Sequence, residues 1–138
     1  ADWVLLAVDM TALQAIKVNL AYLPEHAQGY VVLVVVNEND IQPLNVPSGI
    51  EVHWVVNSNP AVAGSPLLDR VKRLTWLPGQ PAVWAACEFH SMRVLRKYFK
   101  LERQLPKDRL YISSYWKIGS TEDQHKIEKQ DDARSAQQ

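Results

Sequence analysis

The residues able to do chemistry in this 138-residue chain fall in four short stretches. In VDMTALQA, residues 8–15, Asp9 and Thr11 stand where an apolar run gives way to a helical period. A helix N-terminus offers unpaired amides and the positive end of its dipole, which suit a phosphate, and the Thr11 hydroxyl would add a donor. The same residues serve equally as a plain cap, with Thr11 as N-cap. No glycine-rich fingerprint accompanies them, and Asp9 opposes a phosphate brought too close. In ACEFHSM, residues 86–92, Cys87 and Glu88 occupy a second such junction. A thiol there lines a tight pocket for a flat ring, or is simply a small buried apolar group. No histidine is in register to activate it, so cysteine-hydrolase chemistry is not expected.

The third stretch is a basic stripe, Arg93, Arg96, Lys97 and Lys100, at helical spacing. It lacks an interleaved aromatic platform, so it reads as a solvated helix face that raises the local potential, and no nucleic-acid partner is expected. The fourth is the segment ISSYWKIG, residues 112–119, which ends a strand in Tyr115, Trp116 and Lys117. Adjacent strand residues point to opposite faces. At least one of the two rings should therefore meet something other than the core of its own domain, such as a partner domain or a planar cofactor.

These stretches need elements to hold them. Apolar runs of strand length occur at 3–8, 30–36, 52–56, 82–87 and 110–116. Most are continuous, as strands covered on both faces require. Between them lie three helical periods. The first follows Thr11 and repeats Leu13, Ile16, Leu20 and Leu23 until Pro24. The second starts at Ser65-Pro66 and carries Leu67, Leu68, Val71 and Leu74 inward. The third runs from Phe89 to Arg103 with Met92, Leu95 and Phe99 inward. This alternation predicts an α/β fold: a doubly wound, mostly parallel five-stranded sheet, order 3-2-1-4-5, with helices on both faces. A ligand is then expected at the carboxyl ends of the strands, where the order reverses between strands one and four. Residues 8–11, 87–88 and 115–117 all border that crevice.

Formal net charge is zero, but residues 89–120 carry eight bases and two acids, against four bases and eight acids in residues 1–88. One cysteine excludes an intramolecular disulfide framework and fits a reducing compartment, so a cytoplasmic location is expected. The four histidines have no ligand spacing, and no metal site is expected. No apolar stretch is long enough for a membrane span. The tail, residues 121–138, is polar; a short solvated helix over about 121–130 followed by disorder is expected. The chain opens ADWVLLAV, without Met and almost directly in a strand, as a piece of a longer chain would.

Taken together, DMTALQAI, WAACEFHSMRVLRKYF and LYISSYWKIG resemble the C-terminal domain of bacterial siderophore-interacting proteins. These are FAD-dependent ferric-siderophore reductases of the ferredoxin-reductase-like group. The likeness runs from about Asp2 to the tail, and its specific parts are the D-x-T-A-L turn and the S-Y-W-K-x-G ending. The resemblance implies that residues 1–120 form an NAD(P)H-binding domain whose N-terminal FAD-binding barrel belongs to the same, longer chain. NADPH or NADH would deliver hydride to FAD, which would reduce the ferric siderophore and release Fe(II) for iron acquisition. By resemblance, Asp9, Met10, Thr11 and Ala12 form the nucleotide turn, and Cys87 and Glu88 lie near the nicotinamide. Tyr115 and Trp116 face the flavin, and Lys117 adds positive charge for an anionic iron chelate. The piece alone is expected to lack both flavin and activity.

Two departures stand out. Val8 and Gln14 replace a glycine and a proline common in the family, and a side chain at Val8 is expected to crowd a pyrophosphate. No arginine follows strand two, where NEND, residues 37–40, would repel a 2′-phosphate; the choice between NADPH and NADH stays open. The alternative class of function is a non-catalytic nucleotide- or partner-binding α/β module.

Overall fold

A computed structural model describes residues 1–60, 65–119 and 121–137. The apolar runs form β1 (Trp3–Asp9), β2 (Gln28–Val35), β3 (Gly49–Val56), β4 (Pro81–Glu88) and β5 (Leu110–Trp116). All pairings are parallel, in the order β3-β2-β1-β4-β5, as the alternation of strands and helices predicts. Parallel strands need crossovers, and here these are α1 (Leu13–Ala21), α2 (Pro66–Lys72) and α3 (Phe89–Lys97). A five-residue π-helical turn, Tyr98–Glu102, prolongs α3 to the length expected from its period.

Because β1 is central and covered on both faces, Leu5, Ala7 and Val8 have no exposed surface. Leu5 and Ala7 belong to one core cluster, with Leu67 and Val71 of α2 and Met92 and Leu95 of α3. Leu6 and Val8 belong to the other, with Ile16 and Leu20 of α1. Glycine is required at the start of β2: Gly29 has φ 142°, and a Cβ there would lie 1.8 Å from the Val4 carbonyl oxygen. The α2 start follows its expected chemistry, with the Ser65 hydroxyl accepting from the Leu68 amide at 3.1 Å and Pro66 in the first turn.

The tail departs from its expectation. It forms one helix, α4 (Glu122–Gln137), which continues well past residue 130. The expected boundary at residue 120 lies outside the described residues. Ionic contacts account for the longer helix. Asp132 accepts two hydrogen bonds from the Arg96 guanidinium, at 2.7 and 2.9 Å, and lies 3.3 Å from Arg93 Nε. Glu128 pairs with Lys117 at the end of β5. Only part of the basic stripe is therefore a solvated face, since Arg93 and Arg96 hold α4. Such pairs leave no hydrophobic period: the large apolar side chain of the tail, Ile127, is 59% exposed. Among the described residues, no helix is long and apolar enough to cross a membrane.

His125 anchors the start of α4. It is buried, its Nε2 lies 2.5 Å from the Ser114 hydroxyl, and its ring meets Phe89 edge-on. Burial and the nearby Lys129 and Lys117 ammonium groups hold its pKa below the ordinary 6.5, against an opposing pull from Glu88. The docked state thus favours neutral imidazole. Its contribution is complete above pH 6.5 and is lost as the pH falls from there through the folded pKa. An NMR titration should show the His125 ring protonating below pH 6.5, with α4 resonances shifting or broadening in step. Protonation at or above the ordinary value would contradict the buried docking.

Candidate functional site

Where the strand order reverses between β1 and β4, the crossovers diverge and leave a crevice at the carboxyl ends of the strands. A cavity of about 290 Å³ lies there. Asp9, Met10 and Thr11 form its β1 wall, Cys87 and Glu88 its β4 wall, and Trp116 closes the β5 side. The structure therefore brings together six of the nine residues singled out from the sequence. Ala12 is instead fully buried beneath α1, Tyr115 is 39% exposed away from the lining, and Lys117 turns to α4.

One carboxylate organises these walls. Asp9 Oδ1 accepts from the Thr11 amide at 3.0 Å and from the Thr11 hydroxyl. Its Oδ2 accepts from the Glu88 amide at 2.9 Å and from the Trp116 indole Nε1 at 3.0 Å. The ends of β1, β4 and β5 are thus tied to a single side chain. This corrects the expected capping. Thr11 is not the N-cap; it lies inside a 3₁₀ turn, Met10–Ala12, that Asp9 caps, and α1 begins after Ala12 without a side-chain cap. The Thr11 amide is accordingly engaged by Asp9. The expectation about Val8 also fails: its side chain is fully buried in the α1 cluster and does not line the cavity.

Glu88 caps α3 from the other wall. Its carboxylate accepts from the amides of His90 (2.8 Å), Ser91 (3.1 Å) and Ile118 (3.3 Å), and Oε2 lies 2.8 Å from His90 Nδ1. Burial pushes its pKa up, but these hydrogen bonds outweigh it and hold the carboxyl below its usual range. Glu88 is ionised near neutral pH. Cys87 is 1% exposed, and burial, reinforced by the Asp9 and Glu88 charges, drives its thiol far above the ordinary range. It stays protonated and acts as a small apolar wall rather than a nucleophile. Among the described residues, no group of three or more His, Cys, Asp or Glu side chains could hold a metal ion.

The tip of β5 is shaped by a bulge. Ser114 pairs with Cys87 and Trp116 pairs with Glu88, so Tyr115 is the extra residue between them. Strict alternation predicted two rings on opposite faces. The bulge instead directs the Trp116 indole to Asp9 and leaves Tyr115 exposed. Sequence reasoning also missed Val34–Val36, Asn57 and Ser91, which line the cavity as well. Ser91 carried a signal, since it stands three residues after a carboxylate at a helix start; the others follow only once the strand order is known.

Known proteins resemble this chain in sequence and in fold. A family model described as siderophore-interacting protein matches residues 1–119. An uncharacterized protein of Mycobacterium tuberculosis is 37% identical over 133 residues, covering 89% of this chain and 47% of its own length. The ferric vibriobactin reductase ViuB of Vibrio cholerae is 30% identical over 131 residues, covering 94% of this chain and 48% of its own. The crystal structure of the siderophore-interacting protein SipS from Aeromonas hydrophila superposes with a TM-score of 0.85 at 24% identity, covering 97% of this chain and 53% of its own. A siderophore utilization protein from T. fusca gives 0.77 at 30% identity, covering 88% and 47%. The chain spans about half the length of the curated relatives it matches.

The two residues of the turn should respond differently to truncation. Asp9→Ala removes an acceptor shared by three strand ends and should cost about 3 kcal/mol, measured by denaturant unfolding. Thr11→Ala removes one hydroxyl bond and should cost less than about 1 kcal/mol. Equal losses would show that Asp9 is not the organising group.

Proposed function

The chain belongs to the siderophore-interacting protein family, and we propose that it is the nicotinamide-side domain of an FAD-dependent ferric-siderophore reductase. The observation that carries this reading is the crevice at the β1/β4 reversal, walled by the Asp9–Thr11 turn, Cys87–Glu88 and Trp116. The family match and the reductase named among the relatives support the reductase chemistry.

The residues present suit the nicotinamide end of a dinucleotide. About 290 Å³ is room for a flat ring and its sugar, with the remainder of the ligand lying along the open strand ends. Cys87 offers that ring a close, neutral, apolar wall. Glu88 and Asp9 fix the wall rigidly, because their carboxylates are engaged by backbone and indole donors. Met10, Thr11 and Ala12 form the turn on which the nucleotide would rest. The FAD would be held mainly by an N-terminal barrel of the same, longer chain, with Tyr115 and Trp116 presenting aromatic surface from this side. When bound, the flavin supplies hydride acceptance from nicotinamide and electron delivery to Fe(III). Lys117 would contribute positive charge toward an anionic chelate. Its ammonium pairs with Glu128 and stands 5.0 Å from the Phe89 ring centre, so a chelate would compete with Glu128 for it. A cytoplasmic setting, where reduced nicotinamide is regenerated, fits this chemistry.

The test is an anaerobic reaction of the longer, two-domain protein, followed through its flavin absorbance. NADH or NADPH should bleach the oxidised flavin, and a ferric siderophore should restore it with stoichiometric release of Fe(II). A protein that purifies without flavin, or whose flavin ignores reduced nicotinamide, would overturn the reading.

A further inference from the structure

Resting on that nucleotide reading, we propose that the crevice selects a nicotinamide dinucleotide with a free ribose 2′-hydroxyl over its 2′-phosphorylated form, and that Glu38 is the discriminating residue. In doubly wound sheets a dinucleotide that crosses the end of the first strand lays its adenosine half over the end of the second. An acidic residue there receives the ribose hydroxyls, and an arginine there accommodates a 2′-phosphate. In this chain Val35 and Val36, at the end of β2, line the cavity, and the backbone then enters a 3₁₀ turn, Glu38–Asp40. The turn is built by a capping box. Asn37 Oδ1 accepts from the Asn39 amide at 2.8 Å, and Asp40 Oδ2 accepts from the Asn37 amide at 3.0 Å. Asn37 and Asp40 are thus committed to the turn itself. Glu38, exposed and outside the box, is the carboxylate left to face a ribose.

The charge pattern around it excludes the phosphorylated form. Between Lys17 and Arg70 the chain has no lysine or arginine, but it has Glu25, Glu38, Asp40, Glu51 and Asp69. That stretch supplies β2, β3 and the cavity-lining residues Val34–Val36, Asn57 and Pro60 at their carboxyl ends. The two flanking cations are already engaged. Lys17 Nζ donates to Gln42 Oε1 at 3.1 Å, and the Arg70 guanidinium contacts His53 Nδ1. Both cations keep their charge but are directed to these neutral partners rather than into the cavity, whose lining includes neither. A 2′-phosphate carries close to two negative charges at neutral pH and needs charge-assisted donors. Here it would meet the Glu38 carboxylate, with no cation among the described residues of the cavity lining, whereas a vicinal diol would donate to the same carboxylate.

The experiment is calorimetric binding of ADP-ribose and of 2′-phospho-ADP-ribose to the longer two-domain protein. Neither probe carries nicotinamide, so the readout is independent of turnover. ADP-ribose should bind roughly tenfold tighter or more, with the gap widening at low salt. Glu38→Gln should narrow the gap, and Glu38→Arg should close or invert it, both without loss of thermal stability because the residue is exposed. Equal or tighter binding of the 2′-phosphate by the unaltered protein would overturn the selectivity alone. So would a ratio that Glu38→Arg leaves unchanged. Binding of neither probe would overturn the nucleotide reading, and the selectivity with it.

Discussion

The crevice depends on one carboxylate that accepts four hydrogen bonds at the end of the central strand. Asp9 takes donors from its own turn, from the Glu88 amide and from the Trp116 indole. A parallel sheet places the ends of β1, β4 and β5 near one another, but the ladder between β1 and β4 ends at Val8 and Ala86, one residue short of the cavity walls. The Asp9 bonds extend that connection past the last ladder rung. A charged acceptor strengthens each of them. Glu88 does the same for the α3 wall, so both sides of the cavity are held by satisfied carboxylates rather than by apolar contact. Rigid walls are what a binding site for a planar ring requires.

A second set of charges acts on the outside of the same region. Arg93 and Arg96 of α3 meet Asp132, and Lys117 meets Glu128, so α4 lies along the β5 side of the fold. These pairs are partly exposed and contribute modest stability individually. Their effect is positional. Three of the eight bases of residues 89–120, Arg93, Arg96 and Lys117, hold the tail. The charged side chains that line the crevice, Asp9 and Glu88, are both carboxylates, and each is held by hydrogen-bond donors of the fold.

Strand order and crevice position were legible because continuous apolar runs alternate with helical periods, a pattern that only a sheet covered on both faces explains. Ser65-Pro66 was equally plain, since a cap followed by proline has one physical reading. Three features were hidden. Capping at Asp9 escaped notice because Thr11 is an equally good cap by type, and only the 3₁₀ turn at Met10–Ala12 decides between them. The Tyr115 bulge left no mark in a run of strand-forming residues, yet it determines which ring reaches the site. Docking of α4 rests on ion pairs and one buried histidine, and a polar segment held this way has the composition of a disordered one. Of the proposed site, Cys87 and Glu88 could be located from the sequence, but that Cys87 stays protonated follows only from its burial beside two carboxylates.

The central claim is that a nicotinamide nucleotide occupies the crevice between the Asp9–Thr11 turn and Cys87–Glu88. The most direct measurement is a crystal structure of the longer protein with NAD⁺ bound. The account predicts the nicotinamide ring against Cys87 and Glu88, with the diphosphate over the Met10–Ala12 turn. A nucleotide bound at any other face of this domain, with the crevice filled by side chains, would contradict it.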